Sequence, residues 1–130
     1  MALYENSDYG RRLLPSVLDE LAKHNPDRLY AAIPRTGNIS DGFSDVTVAD
    51  LARCVDFTSR WLEDRVGRSS SFETITYIGV SDLRGVVVFL AAVKCGYKVG
   101  FCCPEKTEAK LYAFRYYYHL LETLLRRTCP

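Results

Sequence analysis

Residues Thr74–Gly100 read TITYIGVSDLRGVVVFLAAVKCGYKVG, and this stretch decides the fold class of the chain. The β-branched, alternating Thr74–Ile78 predicts a strand, and the apolar run Leu83–Val93 predicts a helix that is buried on several sides. Tyr97–Phe101 predicts a second strand. Because a strand–helix–strand crossover is right-handed, we expect the two strands to be parallel neighbours in an α/β fold.

The turn between the first strand and the helix invites comparison with nucleotide-binding turns. A phosphate site needs several backbone N–H groups brought close together, which takes more than one glycine. Here Gly79 stands alone until Gly85, and Asp82 places a negative charge where phosphate would lie. We therefore expect a structural turn in which Ser81 or Asp82 caps the helix.

Three further elements are predicted upstream of this unit. They are a helix at about Pro15–His24, a strand at Leu29–Ile33 and a helix at about Val48–Val66 that is capped by Thr47 and stopped by Gly67. Arg35–Ser44 is expected to be an exposed loop and Ser69–Ser71 a flexible linker, with a phosphorylation site as the alternative for the three serines. The expected apolar stripes are Leu14, Val17, Leu18, Leu21 and Ala22 in the first helix, and Val48, Leu51, Ala52, Val55, Leu62 and Val66 in the second, where Phe57 and Trp61 add an aromatic pair.

Length, charge and hydropathy limit the classes of protein to consider. A chain of 130 residues has room for one domain with a modest core. Its net charge of +1 gives no electrostatic reason to expect a nucleic-acid or membrane partner. The longest apolar run, Val86–Val93, is far below the ~20 residues that span a bilayer. With no signal-peptide pattern at the start, the expected location is cytoplasmic.

No residue pattern predicts a catalytic, cofactor-binding or metal site. Five cysteines include no C-x-x-C pair, and Cys54 and Cys95 lie in apolar segments as small buried side chains. His24 falls at a helix C-terminus, where a cation favours the helix dipole. The acidic pairs Asp19-Glu20 and Glu63-Asp64 are interpreted as solvated helix faces. We therefore assign no site residues.

Several short motifs in order give a family resemblance. Asp45–Leu51 is similar to the first core motif of the adenylate-forming (AMP-binding) superfamily, L-T-Y-x-E-L, and Ala91–Tyr97 to its second, L-K-A-G-x-A-Y. The other matching stretches are Tyr9–Pro15, Asn25–Arg28, Gly67–Gly79 and Ser81–Arg84. Together, residues 9–100 resemble the N-terminal part of an adenylation domain, closest to the fungal nonribosomal-peptide-synthetase-like proteins.

The resemblance implies the structural framework of an adenylation domain without the residues that bind its substrates and cofactors. Full-length relatives of this kind activate a carboxylic acid with ATP as acyl-AMP and transfer it to a phosphopantetheine carrier, so ATP, Mg²⁺ and phosphopantetheine are implied for them. The motifs that bind these groups lie downstream of the matching stretch, and none has a counterpart here. The expected fold is a partial N-terminal subdomain of the adenylate-forming fold, in a chain truncated by gene decay, a frameshift or a mispredicted intron and inactive alone.

After Gly100 the sequence departs from the family. The expected organisation is a loose lead-in at residues 1–12, a partial adenylation domain at 13–101 and a divergent helical tail at 102–130. In the tail a helix is predicted at about 105–127, with an apolar seam of Leu111, Phe114, Tyr118, Leu121 and Leu125, widened by Tyr117, Leu120 and Leu124. The alternative function is a small non-catalytic interaction module that uses 105–127 for self-association or for a protein partner.

Overall fold

A computed structural model describes residues 12–80 and 82–102 of the protein. The elements are α1 Leu14–His24, β1 Leu29–Pro34, a short 3₁₀ helix Ile39–Asp41, β2 Phe43–Thr47, α2 Val48–Val66, β3 Thr74–Ile78, α3 Leu83–Lys94 and β4 Lys98–Cys102. This is a mixed α/β arrangement, and every helix and strand predicted within the described ranges is confirmed. The predicted tail helix at 105–127 lies outside them.

The predicted parallel pair is present. β3 and β4 pair in parallel, with Ile75 opposite Val99 and Tyr77 opposite Phe101, and α3 provides the crossover. Just before the pairing begins, the N–H of Lys98 donates to the carbonyl of Glu73 at 2.9 Å. The strand–helix–strand unit expected from Thr74–Gly100 is therefore confirmed.

The expectation of a loop throughout Arg35–Ser44 was wrong, because β2 begins at Phe43 and pairs antiparallel with β1. The connection is closed by a hydrogen bond from Arg35 N–H to the carbonyl of Gly42 at 3.1 Å, and the side chain of Asn38 caps the 3₁₀ helix. Ser44 and Asp45 are weak strand formers, so only the pairing with β1 makes this segment a strand.

The core lies between the three helices. α2 packs against α3, and α1 contacts both. Leu51 and Val55 of α2 are each only 1% exposed, while Ala91 and Ala92 of α3 are fully buried. Small side chains on α3 let the two helix axes approach closely, so this interface forms the centre of the core.

The apolar stripes predicted for α1 and α2 each include a terminal residue that is exposed in the structure. Leu14 at the start of α1 and Val66 at the end of α2 are each 59% exposed. Both lie in the terminal turn of their helix, beyond the part that a neighbouring helix covers. Between them the stripes are correct, since Leu18, Val48 and Leu62 are buried.

The linker between α2 and β3 is fixed at Ser69, contrary to the expectation of a flexible Ser69–Ser71. The Ser69 N–H donates to the carbonyl of Cys95 at 3.0 Å, and its hydroxyl donates to a carboxylate oxygen of Glu73 at 2.6 Å. A Cβ built on Gly96, whose φ is +86°, would lie 2.6 Å from the Ser69 carbonyl oxygen. Only glycine accommodates this close backbone approach.

Candidate functional site

The carboxyl end of β3 is the first place to look for a ligand site, because α/β folds bind ligands at the carboxyl ends of their strands. Here Asp82 is the N-cap of α3, and its carboxylate accepts a hydrogen bond from the Arg84 N–H at 3.0 Å. The Arg84 guanidinium also donates to this carboxylate, with Nε 2.8 Å from Oδ2. The first turn of α3 is thus capped by a carboxylate that Arg84 neutralises.

The ring of Tyr77 fills the space beside this turn. A Cβ on Gly79 would overlap the Tyr77 ring, and one on Gly85 would lie 3.4 Å from it. The Tyr77 hydroxyl donates to the carbonyl of Val80 at 3.4 Å. The residues of the turn therefore do not fit an ATP phosphate or Mg²⁺, because an aromatic ring and a paired carboxylate occupy the position. This packing favours the structural interpretation of the turn.

The main polar cluster of the described residues lies between the helices instead. Lys94, at the end of α3, donates to Asp19 of α1 through Nζ at 2.8 and 3.0 Å and to Asp56 of α2 at 2.6 Å. We call these three residues the Lys94 cluster. The interpretation of Asp19 as part of a solvated face was therefore wrong. No sequence spacing could have indicated this contact, because it joins positions far apart in the chain.

The electrostatics of the Lys94 cluster fit a structural clamp. Partial burial opposes the charged ammonium, but hydrogen bonds and charge from Asp19 and Asp56 outweigh that cost and raise the pKa of Lys94 above its usual value. The amine therefore stays protonated at neutral pH and has no lone pair for attack or proton abstraction. Its role is to hold three helices together.

Cys95 is buried as the sequence predicts. It is 2% exposed, and its Sγ lies 3.4 Å from the carbonyl oxygen of Ser59, to which the thiol donates. Burial raises the pKa of the Cys95 thiol, so the thiol is neutral near pH 7 and poorly nucleophilic. Cys54 is half-buried against the same core.

Two negative observations apply to the part of the chain that the structure describes. No group of three or more His, Cys, Asp or Glu side chains is placed to hold a metal ion, and no helix is both long and apolar enough to cross a membrane. His24 ends α1 at an exposed position, as predicted. His119 lies outside the described ranges.

Comparison with known proteins finds four matching relatives, among them two fungal proteins at similar identity. An isocyanide synthase-NRPS hybrid from Aspergillus fumigatus is 36% identical over 99 residues, which is 76% of this chain and 6% of the relative. A carboxylic acid reductase from Neurospora crassa is 35% identical over 117 residues, 88% of this chain and 11% of the relative. No family model matches the chain, and no solved structure matches it.

The two alignments cover most of this chain but about a tenth or less of each relative. They confirm the resemblance of the chain to fungal nonribosomal-peptide-synthetase-like proteins. The chain is therefore similar to a short segment of fungal nonribosomal-peptide-synthetase-like proteins.

Proposed function

We propose that this chain corresponds to the N-terminal scaffold of an adenylation domain of the AMP-dependent synthetase/ligase type. The observation that carries the proposal is the 35–36% identity to an isocyanide synthase-NRPS hybrid and a carboxylic acid reductase over most of the chain. In the complete domain, a carboxylic acid would be activated with ATP as acyl-AMP and passed to a phosphopantetheine thiol. An ATP-dependent role of this kind suits the cytoplasmic location expected from the sequence.

The described residues support such a domain and do not carry its chemistry. An adenylating site must hold ATP, Mg²⁺ and a carboxylate with preorganised charge. Two of the described cations are instead paired with carboxylates of the same chain, Arg84 with Asp82 and Lys94 with Asp19 and Asp56. The isolated chain is therefore expected to be inactive.

A segment exchange tests the proposal. In the Neurospora crassa carboxylic acid reductase, the part of the aligned segment that corresponds to residues 12–102 of this chain is replaced by those residues. Acid-dependent exchange of pyrophosphate into ATP is then measured for the chimera and for the isolated chain. We expect exchange by the chimera, with the acid preference of the parent enzyme, and none by the isolated chain above a heat-inactivated sample.

Two control chimeras separate folding from chemistry. Leu51→Asp places a charge at a position that is 1% exposed and should abolish exchange, whereas Phe57→Asp changes an exposed position of the same helix and should not. Exchange by the isolated chain would overturn the proposal. So would an inactive chimera whose circular dichroism and melting match those of the parent.

A further inference from the structure

Three aromatic rings lie together at the carboxyl end of the β3–β4 pair, where Tyr77 and Phe89 are half-buried and Phe101 is exposed. Phe101 of β4 lies with its ring centroid 6.1 Å from that of Phe89 of α3 and 6.1 Å, edge-on, from that of Tyr77 of β3. We call these residues the aromatic patch. Although its ring contacts two others, Phe101 is still 61% exposed. Apolar area of this kind gains stability when another element covers it.

The chain itself leaves from this patch. The described structure ends at Cys102, the residue directly after Phe101. Only Cys103 and Pro104 separate that point from the segment 105–127. The three extended Cα–Cα steps from Cys102 to Glu105 span at most about 10 Å, so the segment begins within reach of the patch. A segment tethered so closely meets the patch at an effective concentration on the order of millimolar, which favours it over a second molecule.

The segment carries the apolar surface that such a site needs. Leu111, Phe114 and Tyr118 recur at three- and four-residue spacing, and the apolar face continues through Leu121 and Leu125. A helix with so wide an apolar face requires a partner surface. Aromatic pairs also contribute beyond the area they bury, which matches aromatic residues on the segment to aromatic residues on the patch.

We propose that residues 105–127 fold back as a helix and cover the aromatic patch of the same chain. The contact is intramolecular, and it leaves the strand edges of the two sheets unchanged. This inference does not rest on the adenylation role, because it uses only the exposed ring of Phe101 with its two aromatic neighbours, the point where the chain leaves β4 and the apolar pattern of the segment.

Hydrogen exchange measured by mass spectrometry on the full chain tests the contact. We expect amides in 105–127 to be protected, and protection to fall roughly tenfold when Phe101 is replaced by alanine. Phe114→Ala should lower the protection of these amides to a similar extent. Because Phe114 lies outside the described residues, this variant leaves the described core intact. Phe43→Ala is the matched control, since Phe43 is also an exposed phenylalanine on a strand, but in the other sheet, and should leave protection unchanged.

Hydrogen exchange measured at several protein concentrations shows whether the same chain or a second copy covers the aromatic patch. Protection that is independent of protein concentration supports the intramolecular contact. Protection that is lost on dilution shows a second copy of the chain on the patch and overturns the proposal. Unprotected amides in 105–127, or protection that neither Phe101→Ala nor Phe114→Ala reduces, also overturn it.

Discussion

The side chain of Lys94 connects the three helices of the core. Its aliphatic stem lies at the end of the apolar α3, while its ammonium reaches one carboxylate on α1 and another on α2. Since the lysine is only 27% exposed, its charge would be poorly solvated without these partners. The cluster thus links all three helices of the core through one side chain.

Replacing Lys94 by methionine should test that role. The variant keeps the length and the apolar stem but leaves two nearby carboxylates without their cation, so we expect a loss of about 1 kcal/mol in the free energy of unfolding. Denaturant titration would measure it. Lys98→Met, at an exposed position of β4, is the control and should change stability by less than about 0.5 kcal/mol. Equal effects of the two substitutions would contradict the clamp.

At the scale of single elements, α2 is defined by its N-terminal capping box. The Thr47 side chain accepts from the Asp50 N–H at 3.2 Å, and the Asp50 carboxylate accepts from the Thr47 N–H at 3.0 Å. Partial burial opposes ionisation of Asp50, but these bonds and the Arg53 guanidinium outweigh it and lower the pKa of Asp50 below 3.8. Local hydrogen bonds and charge therefore both favour a helix that begins directly after Thr47.

This cap predicts a pH-dependent contribution to stability. A carboxyl group whose pKa is lowered on folding stabilises the folded state above its ordinary pKa, and the effect disappears as pH falls through the folded value. Near neutral pH, Asp50→Asn should cost about 1 kcal/mol. The difference in the free energy of unfolding between this variant and the unmodified protein should decrease as pH falls below 3.8. Urea unfolding from pH 7 to pH 2 would measure it, with Asp64→Asn, at an exposed position of the same helix, as the control. A difference that does not change with pH would contradict the ionised cap.

Sequence periodicity was sufficient for the helices and for the parallel pair, because each has a long or strongly β-branched apolar pattern. It failed where structure depends on a distant partner. β2 needs β1 to become a strand, and Asp19 finds Lys94 only after the chain folds. The ends of the apolar stripes, such as Val66, were also misjudged, since periodicity does not show where a neighbouring helix stops. The capping of α3 by Asp82 could be predicted, because the signal for it is local to the Gly79 turn.

At the scale of the whole molecule, the described residues form two separate two-stranded sheets, each with open edges. Exposed apolar side chains lie on both of them, including Leu29, Phe43 and Phe101. Parallel strands are usually buried among further strands and helices, and unpaired edges promote association. The described part thus presents surfaces that further strands or helices would normally cover.

The isolated chain should consequently associate or aggregate. Sedimentation velocity over a range of concentrations should show species larger than the monomer. Thr76→Lys introduces a charge at an exposed position of β3 and should reduce association, while Thr36→Lys in the β1–β2 connection should not. A single monomeric boundary together with a cooperative thermal transition of the unmodified chain would contradict this expectation.

The position of the core also has a consequence for folding during synthesis. Its buried residues run from Leu18 to Tyr97, and the contacts of α2 are mainly with α3. A nascent chain that ends at Val66 contains the sequences of α1, the β1–β2 hairpin and α2, but it lacks α3, the main helix that packs against α2. Cooperative folding must therefore wait until α3 has left the ribosome, and until then the apolar face of α2 is open to chaperones.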